Sequence, residues 1–141
     1  MTFPRRVVVT GLGIVSSIGN NVAEVLASLR DGVSGIVASP DYAAKNFRSQ
    51  VYAPVKNLNI EEHIDRRVLR FMGPGAAYAH IAMQQAIADA GLTESDIVNP
   101  RTGLVVGSGG PSTSAQVEAA LITLDKGPKR IGPYAVPKAM S

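Results

Sequence analysis

The residues able to do chemistry are few and poorly arranged for it. Ser16, Ser17, Ser108 and Ser112 are possible nucleophiles, but none sits in the Gly-x-Ser-x-Gly elbow that exposes a reactive hydroxyl. His63 and His80 are the only histidines, and neither has metal-ligand spacing to another ligand. The chain has no cysteine, which excludes disulfides, thiolate metal sites and thiol catalysis within its 141 residues. Glu61 and Glu62 are adjacent, so their side chains diverge, as in a surface turn. No catalytic group, no metal site and no cofactor is therefore expected on this chain.

Two glycine motifs and a basic run remain. Gly11-Leu12-Gly13 starts like a dinucleotide-binding turn, but position 16 is serine where that fingerprint needs a third glycine or alanine. A tight turn at which two backbones pass closely accounts for it more simply. Gly107-Ser108-Gly109-Gly110 precedes a helix cap, and no Gly-Lys-Ser/Thr follows, so it is not a nucleotide P-loop. Its amides could face an anion or a developing oxyanion, or its glycines could make room for a neighbour such as an acyl chain. The sequence leaves both open. A small anion- or nucleotide-binding domain is disfavoured by these incomplete fingerprints.

Arg66, Arg67 and Arg70 cluster beside Asp65. On a helical turn Arg66 and Arg70 share a face and could grip phosphate or carboxylates; the plainer reading is a solvated surface. Lys126, Lys129 and Arg130 form a second basic group. Two such groups on one small chain point to an acidic protein partner.

The elements that must carry these residues follow from periodicity. Val7-Val8-Val9 and Leu104-Val105-Val106 read as strands buried on both faces. Asn20 or Asn21 caps a helix in which Val22, Val25, Leu26 and Leu29 recur at helical spacing, with Gly32 as its stop. Met72, Ala76, Ala79, Met83, Ala86, Ile87 and Ala90 form a second, alanine-rich stripe suited to close approach, with Pro74 in its first turn and Gly91 at its end. Ser112 or Thr113 caps a third helix, where Val117, Ala120, Leu121 and Leu124 share a face. Residues 37–59 lack a clear period and read as an excursion, with an irregular strand between Phe47 and Val55. The tail from Gly127, with Pro128, Pro133 and Pro137, reads as irregular. This order predicts an α/β fold with a parallel sheet. Two strands alone cannot bury both faces of a sheet, so either more strands lie in the excursion or the chain is part of a larger domain.

Composition narrows the function classes. Apolar residues make up 45% and charged residues 18%, with mean hydropathy +0.12, which suits a single core-forming domain. Fourteen Lys and Arg against eleven Asp and Glu give +3, and aromatics are only 5%, too little for a nucleic-acid face. No apolar run approaches the roughly 18 residues that span a bilayer. Gly11 and Gly13 interrupt the only stretch resembling a signal sequence. A soluble, cytoplasmic chain is expected.

Read in order, several strings resemble the β-ketoacyl-acyl-carrier-protein synthases, a thiolase-like family. They are Val7 to Gly19, Ser34-Gly35-Ile36, Gln85 to Gly91, Gly107 to Gly110 and Gly132-Pro133-Tyr134. Ile14 to Ser17 and Val136 to Met140 look more like the type I elongating branch than the type II one. The resemblance implies two related α/β halves, each with a mixed sheet and flanking helices, in a homodimer. It implies decarboxylative Claisen condensation: an acyl group moves from its carrier to a cysteine, and malonyl-carrier loses carbon dioxide and attacks that thioester. It also implies that Arg66, Arg67, Arg70, Lys129 and Arg130 dock acyl carrier protein. Gly110, Tyr134, Val136 and Met140 would line an acyl pocket across the dimer axis. The family's cysteine, histidines and lysine would fall beyond Ser141. The chain thus reads as the N-terminal segment, 1–141, of an incomplete N-terminal half, supplying scaffold, pocket lining and carrier docking and inactive by itself. The alternative is a non-catalytic ketosynthase-like interaction or chain-length partner.

Overall fold

Asn21 opens the first helix. Its side chain accepts a hydrogen bond from the Glu24 amide at 2.9 Å, and the Glu24 carboxylate reaches back to the Asn20 amide at 2.8 Å. Helix α1 (Val22–Asp31) then runs until Gly32, whose φ of 65° lets the chain leave in the left-handed region. Of its periodic apolar residues only Val25 is buried. The computed structural model describes residues 5–140. They pack as two units: the first runs up to Leu58 and resumes over Ala82–Asn99, and the second comprises Asn59–Ile81 and the stretch from Pro100 onward.

In the first unit the excursion is ordered by a short antiparallel pair. β1 (Val37–Ala38) pairs with β2 (Val51–Tyr52), Val37 opposite Tyr52, and α2 (Pro40–Ala44) lies between them. Buried Ser39 caps α2 through the Tyr42 amide, and its own amide donates to the Gln50 carbonyl at 2.8 Å. Tyr42 packs on Phe47 and Tyr52 at ring distances of 5.2 and 6.2 Å. The irregular strand expected between Phe47 and Val55 is therefore β2.

Gly11 to Ile14 runs against the C-terminal part of α4 (Pro74–Asp89). The Leu12 amide donates to Asp89 Oδ2 at 2.9 Å and the Ile14 amide to Gln85 Oε1 at 3.1 Å. A Cβ on Gly13 would collide with the Ala82 carbonyl, and one on Gly11 would lie 2.7 Å from the Ala90 nitrogen. The close-passage reading of Gly11-Leu12-Gly13 thus holds, and the alanine stripe is what it passes. Beyond α4, α5 (Glu94–Ile97) starts with a capping box: Asp96 accepts from the Thr93 hydroxyl at 2.6 Å and its amide at 2.8 Å. The Thr93 side-chain bond, then the backbone bond, hold the Asp96 carboxyl below its ordinary value. The box is therefore intact above the usual carboxylate range and loosens as pH falls through the lowered value.

The expected strands at Val7–Val9 and Leu104–Val106 are corrected. Neither joins a ladder, and Val7 is 93% and Val105 96% exposed. The one ladder among the described residues, β1–β2, includes neither run. Apolar sequence makes a strand competent; hydrogen-bonding partners make it a strand.

The second unit holds α3 (Arg66–Leu69), the first half of α4, α6 (Thr113–Lys126) and α7 (Ala135–Ala139). Ser112 caps α6 by accepting from the Ala115 amide. The expected face of α6 is also corrected: Val117, Leu121 and Leu124 are exposed, Leu124 at 85%, and Ala115 is the buried residue. In α4 the deepest residues are Ala77 and Ile81, beside the expected stripe rather than on it. The tail from Gly127 is not wholly irregular. Pro128–Arg130 forms a 3₁₀ turn, and α7 carries Pro137 at its third position, where the missing N–H has no helical partner to lose. So much exposed apolar surface has a consequence. The isolated chain is expected to self-associate instead of unfolding cooperatively as a monomer, checked by sedimentation velocity and a thermal scan. A soluble monomer with a sharp transition would contradict this.

Candidate functional site

The basic cluster and the apolar loop both fall in the second unit. Buried Ile64 anchors the approach to α3, and Asp65 caps it by accepting from the Arg67 amide at 2.7 Å. The structure then separates the three arginines. Arg66, 82% exposed, bonds Glu61 Oε2 through Nε at 3.1 Å and Nη2 at 2.7 Å. That hydrogen bond, reinforced by the opposite charge, raises the Arg66 guanidinium above its ordinary value. Arg70 stacks on aromatic rings, with Cζ 4.9 Å from the centroids of both Phe71 and Tyr134. The rings meet edge-on at 4.9 Å. Arg67 is exposed and in no ion pair among the described residues. Arg66 and Arg70 still border one common cavity, but they do not act as a free pair. Each already has a different partner.

Lys129 and Arg130 project from the 3₁₀ turn, exposed and outside any ion pair among the described residues. Lys126 lies 3.9 Å from Asp125, both well exposed, a contact worth little. Arg66, Arg70 and Lys138 also line a cavity of about 450 Å³ with Glu61, Glu118 and Ser112.

The four expected pocket residues border three spaces instead of one. Gly110 and Met140 line a cavity of about 310 Å³ with Ala76 and Val106. Met140 and Val136 line another of about 610 Å³ with Ala119 and Ile131. Tyr134 borders a third, about 240 Å³, with Arg70 and Ile122. Met140 is common to the first two. A Cβ on Gly110 would meet nothing within 4 Å, so nothing among the described residues demands glycine there. Ser108 Oγ donates to the Gly110 carbonyl at 2.8 Å, folding the glycine turn on itself. Two of the other candidate serines are similarly engaged: Ser16 Oγ donates to the Gly19 carbonyl and Ser112 caps α6. Among the described residues no group of three His, Asp or Glu could hold a metal ion, and no helix is long and apolar enough to cross a membrane.

A family model described as the N-terminal domain of beta-ketoacyl synthase matches residues 4–141. The chain belongs to the beta-ketoacyl synthase family. It is 54% identical over 138 residues to 3-oxoacyl-[acyl-carrier-protein] synthase 1 of Haemophilus influenzae, covering 97% of this chain and 34% of that protein. It is 52% identical over 139 residues to the synthase 1 of Escherichia coli K12, with the same coverage. Identity to synthase 2 of Staphylococcus aureus N315 is 35% over 137 residues. The chain thus spans about a third of the length of the curated relatives it matches. Among solved structures, the ishigamide ketosynthase/chain length factor superposes with TM-score 0.81 at 29% identity, covering 94% of this chain and 33% of that one. A beta-ketoacyl synthase from Burkholderia phymatum superposes with TM-score 0.75 at 28% identity, with the same coverage. The fold is that of the thiolase-like ketosynthases.

Membership explains the ordered strings, and the ketosynthase structure shows what several of them do. Gln85 to Gly91 is the surface that receives Gly11 to Ile14. Sequence reasoning missed Phe71 and Glu61 as the partners of Arg70 and Arg66. An aromatic next to an arginine, or a glutamate five residues before one, is too common a pattern to mark a contact.

Proposed function

We propose that this chain forms the N-terminal third of an elongating 3-oxoacyl-acyl-carrier-protein synthase, a cytoplasmic, homodimeric acyltransferase of fatty-acid synthesis. The observation that carries the reading is 54% identity to a synthase 1 along 97% of the chain. In the whole enzyme an acyl group passes from the carrier's thiol to an enzyme cysteine. Malonyl-carrier then releases carbon dioxide, its carbanion forms the new C–C bond at the thioester carbonyl, and the cysteine leaves as thiolate. This chain, without cysteine, supplies scaffold, pocket lining and the carrier's landing surface.

Carrier docking falls mainly to Arg67, Lys129 and Arg130, which are exposed and outside any ion pair among the described residues, while Glu61 already neutralises Arg66. Surface charges of this kind steer association and are screened by salt. In the full-length enzyme, Arg67→Glu with Arg130→Glu is expected to weaken carrier binding about tenfold at low ionic strength and flatten its salt dependence. The KM for a pantetheine thioester should hold. Equal damage to carrier-borne and pantetheine substrates would assign these residues to folding.

Gly110→Met should leave Tm near wild type, because the space around it is open, yet shorten the longest acyl primer accepted. Its side chain would enter the cavity that Met140 also lines. Unchanged primer length would remove Gly110 from the acyl site.

One observation favours a second reading. The neighbour at TM-score 0.81 is described as a ketosynthase/chain length factor. A non-catalytic ketosynthase-like subunit beside an active one would share this fold. The intact mass of the full gene product, with labelling by a cysteine-directed acyl probe, separates the two: a labelled full-length chain supports the synthase, an unlabelled one the partner subunit.

A further inference from the structure

We propose that Glu61 is a specificity-determining residue for carrier docking: it occupies Arg66 in the free protein and yields it only to a partner that brings a competing carboxylate. The ion pair is thus an exchangeable contact on the basic turn. It keeps docking weak enough for one carrier to replace another. This rests on the carrier-docking reading above and adds to it an acidic residue that opposes binding.

The basic turn is balanced within its own sequence. Between Glu61 and Arg70 lie three carboxylates, Glu61, Glu62 and Asp65, and three arginines. The structure gives each carboxylate a separate task. Asp65 accepts from the Arg67 amide at 2.7 Å and caps α3. Glu62 Oε1 accepts from Asn59 Nδ2 at 2.8 Å. Glu61 is the one that meets a guanidinium among the described residues, its Oε2 accepting from Arg66 Nη2 at 2.7 Å and Nε at 3.1 Å. Its place is built by the backbone. Glu61 sits in the 3₁₀ turn Ile60–Glu62, where the Ile60 carbonyl accepts from the His63 and Ile64 amides, both at 3.0 Å, and Ile64 is buried. That turn and the Asp65 cap bring Glu61 and Arg66 together across five positions.

Exposure makes the pair exchangeable. The Arg66 side chain is 82% and the Glu61 side chain 52% exposed, so separating them leaves no buried, uncompensated ion. Both Arg66 donors go to a single oxygen of Glu61, so the stronger fork of two parallel bonds to two oxygens is not used. A carrier carboxylate that offers both oxygens makes the better contact. Arg67, one residue on, is exposed and in no ion pair among the described residues, so it attracts an acidic surface directly. Arg66 adds to that attraction only after exchange. A neutral glutamine at position 61 removes the competitor.

The test uses the full-length protein and acyl carrier protein, with binding read by calorimetry at low and raised ionic strength, which needs no turnover. Glu61→Gln is expected to tighten carrier binding about threefold at low salt, a gain that fades as salt screens it. Glu62→Gln removes the same charge one residue away without freeing an arginine, and should change binding less. In an Arg66→Gln background the gain from Glu61→Gln should vanish, because nothing is left to compete for. An equal gain from Glu62→Gln, or a gain that survives without Arg66, would overturn the proposal in favour of net charge alone. Unchanged or weaker binding in Glu61→Gln would overturn it in favour of a pair that only shapes the turn. The synthase reading fails separately. A full-length protein that condenses nothing, yet binds carrier more tightly as Glu61→Gln, refutes the synthase and supports the exchange. One that condenses normally, while Glu61→Gln binds carrier like wild type, does the reverse. A carrier that binds no form of the protein refutes both.

Discussion

Gly13→Ala is expected to destabilise the folded protein by about 3 kcal/mol, the upper end of overpacking costs, because the obstacle is backbone. The added Cβ would run into the Ala82 carbonyl and lie 2.8 Å from the Ala86 nitrogen, both within α4 and unable to rotate aside. Relief requires Gly11 to Ile14 to lift from the helix. That would break the Leu12–Asp89 and Ile14–Gln85 hydrogen bonds and strand the Gln85 side chain, which also donates to the Asn20 carbonyl at 2.7 Å. Gly109→Ala is the control, since its Cβ would meet nothing within 4 Å. In the full-length enzyme the Gly13 variant should melt several degrees lower or be lost to the insoluble fraction, while the Gly109 variant should match wild type. Equal melting temperatures for both would refute the close-passage reading of the glycine pair.

The second large effect is all-or-none. Incubated with acyl carrier thioester, residues 1–141 are expected to form no covalent acyl adduct, whereas the full-length synthase should gain one acyl mass. The chain has no thiol to accept the group. Three candidate substitutes among the described residues are already engaged: Ser16 and Ser108 donate to carbonyls of their own turns and Ser112 caps a helix. His63 and His80 are far apart in sequence and form no metal-binding group with Asp or Glu among the described residues. Intact-mass spectrometry decides it. A stable stoichiometric adduct on the short chain would require a nucleophile that none of these contacts provides.

How far the site could be read from sequence differs residue by residue. Arg66, Arg67 and Arg70 were legible as a cluster, and Lys129 with Arg130 as another, because charge density is a property of the string. Their division into a paired, a free and a stacked guanidinium was not legible. It depends on Glu61 in a 3₁₀ turn and on Tyr134, which lies 64 positions after Arg70. The pocket residues fared similarly. Their apolar character was visible, but their distribution over three cavities follows from α7 being helical, which the prolines obscured. Pro137 falls in a helix's first turn, where proline is harmless, and only the start of the helix reveals that.

By itself the sequence determined whatever rests on contacts within a few residues. Asn21 and Gly32 bound α1, Ser112 caps α6, and Gly91 follows α4 in the left-handed region at φ 65°. It also determined the family, through strings in fixed order, and the absence of a thiol. The tertiary structure alone decided which competent segments found partners. Val7–Val9 and Leu104–Val106 have strand composition and no ladder, and α6 buries Ala115 while Leu121 and Leu124 face outward. The reason is physical. A helix satisfies its backbone within its own turns and a cap within one residue's reach, whereas a strand's hydrogen bonds and a helix's buried face are supplied by chain remote in sequence.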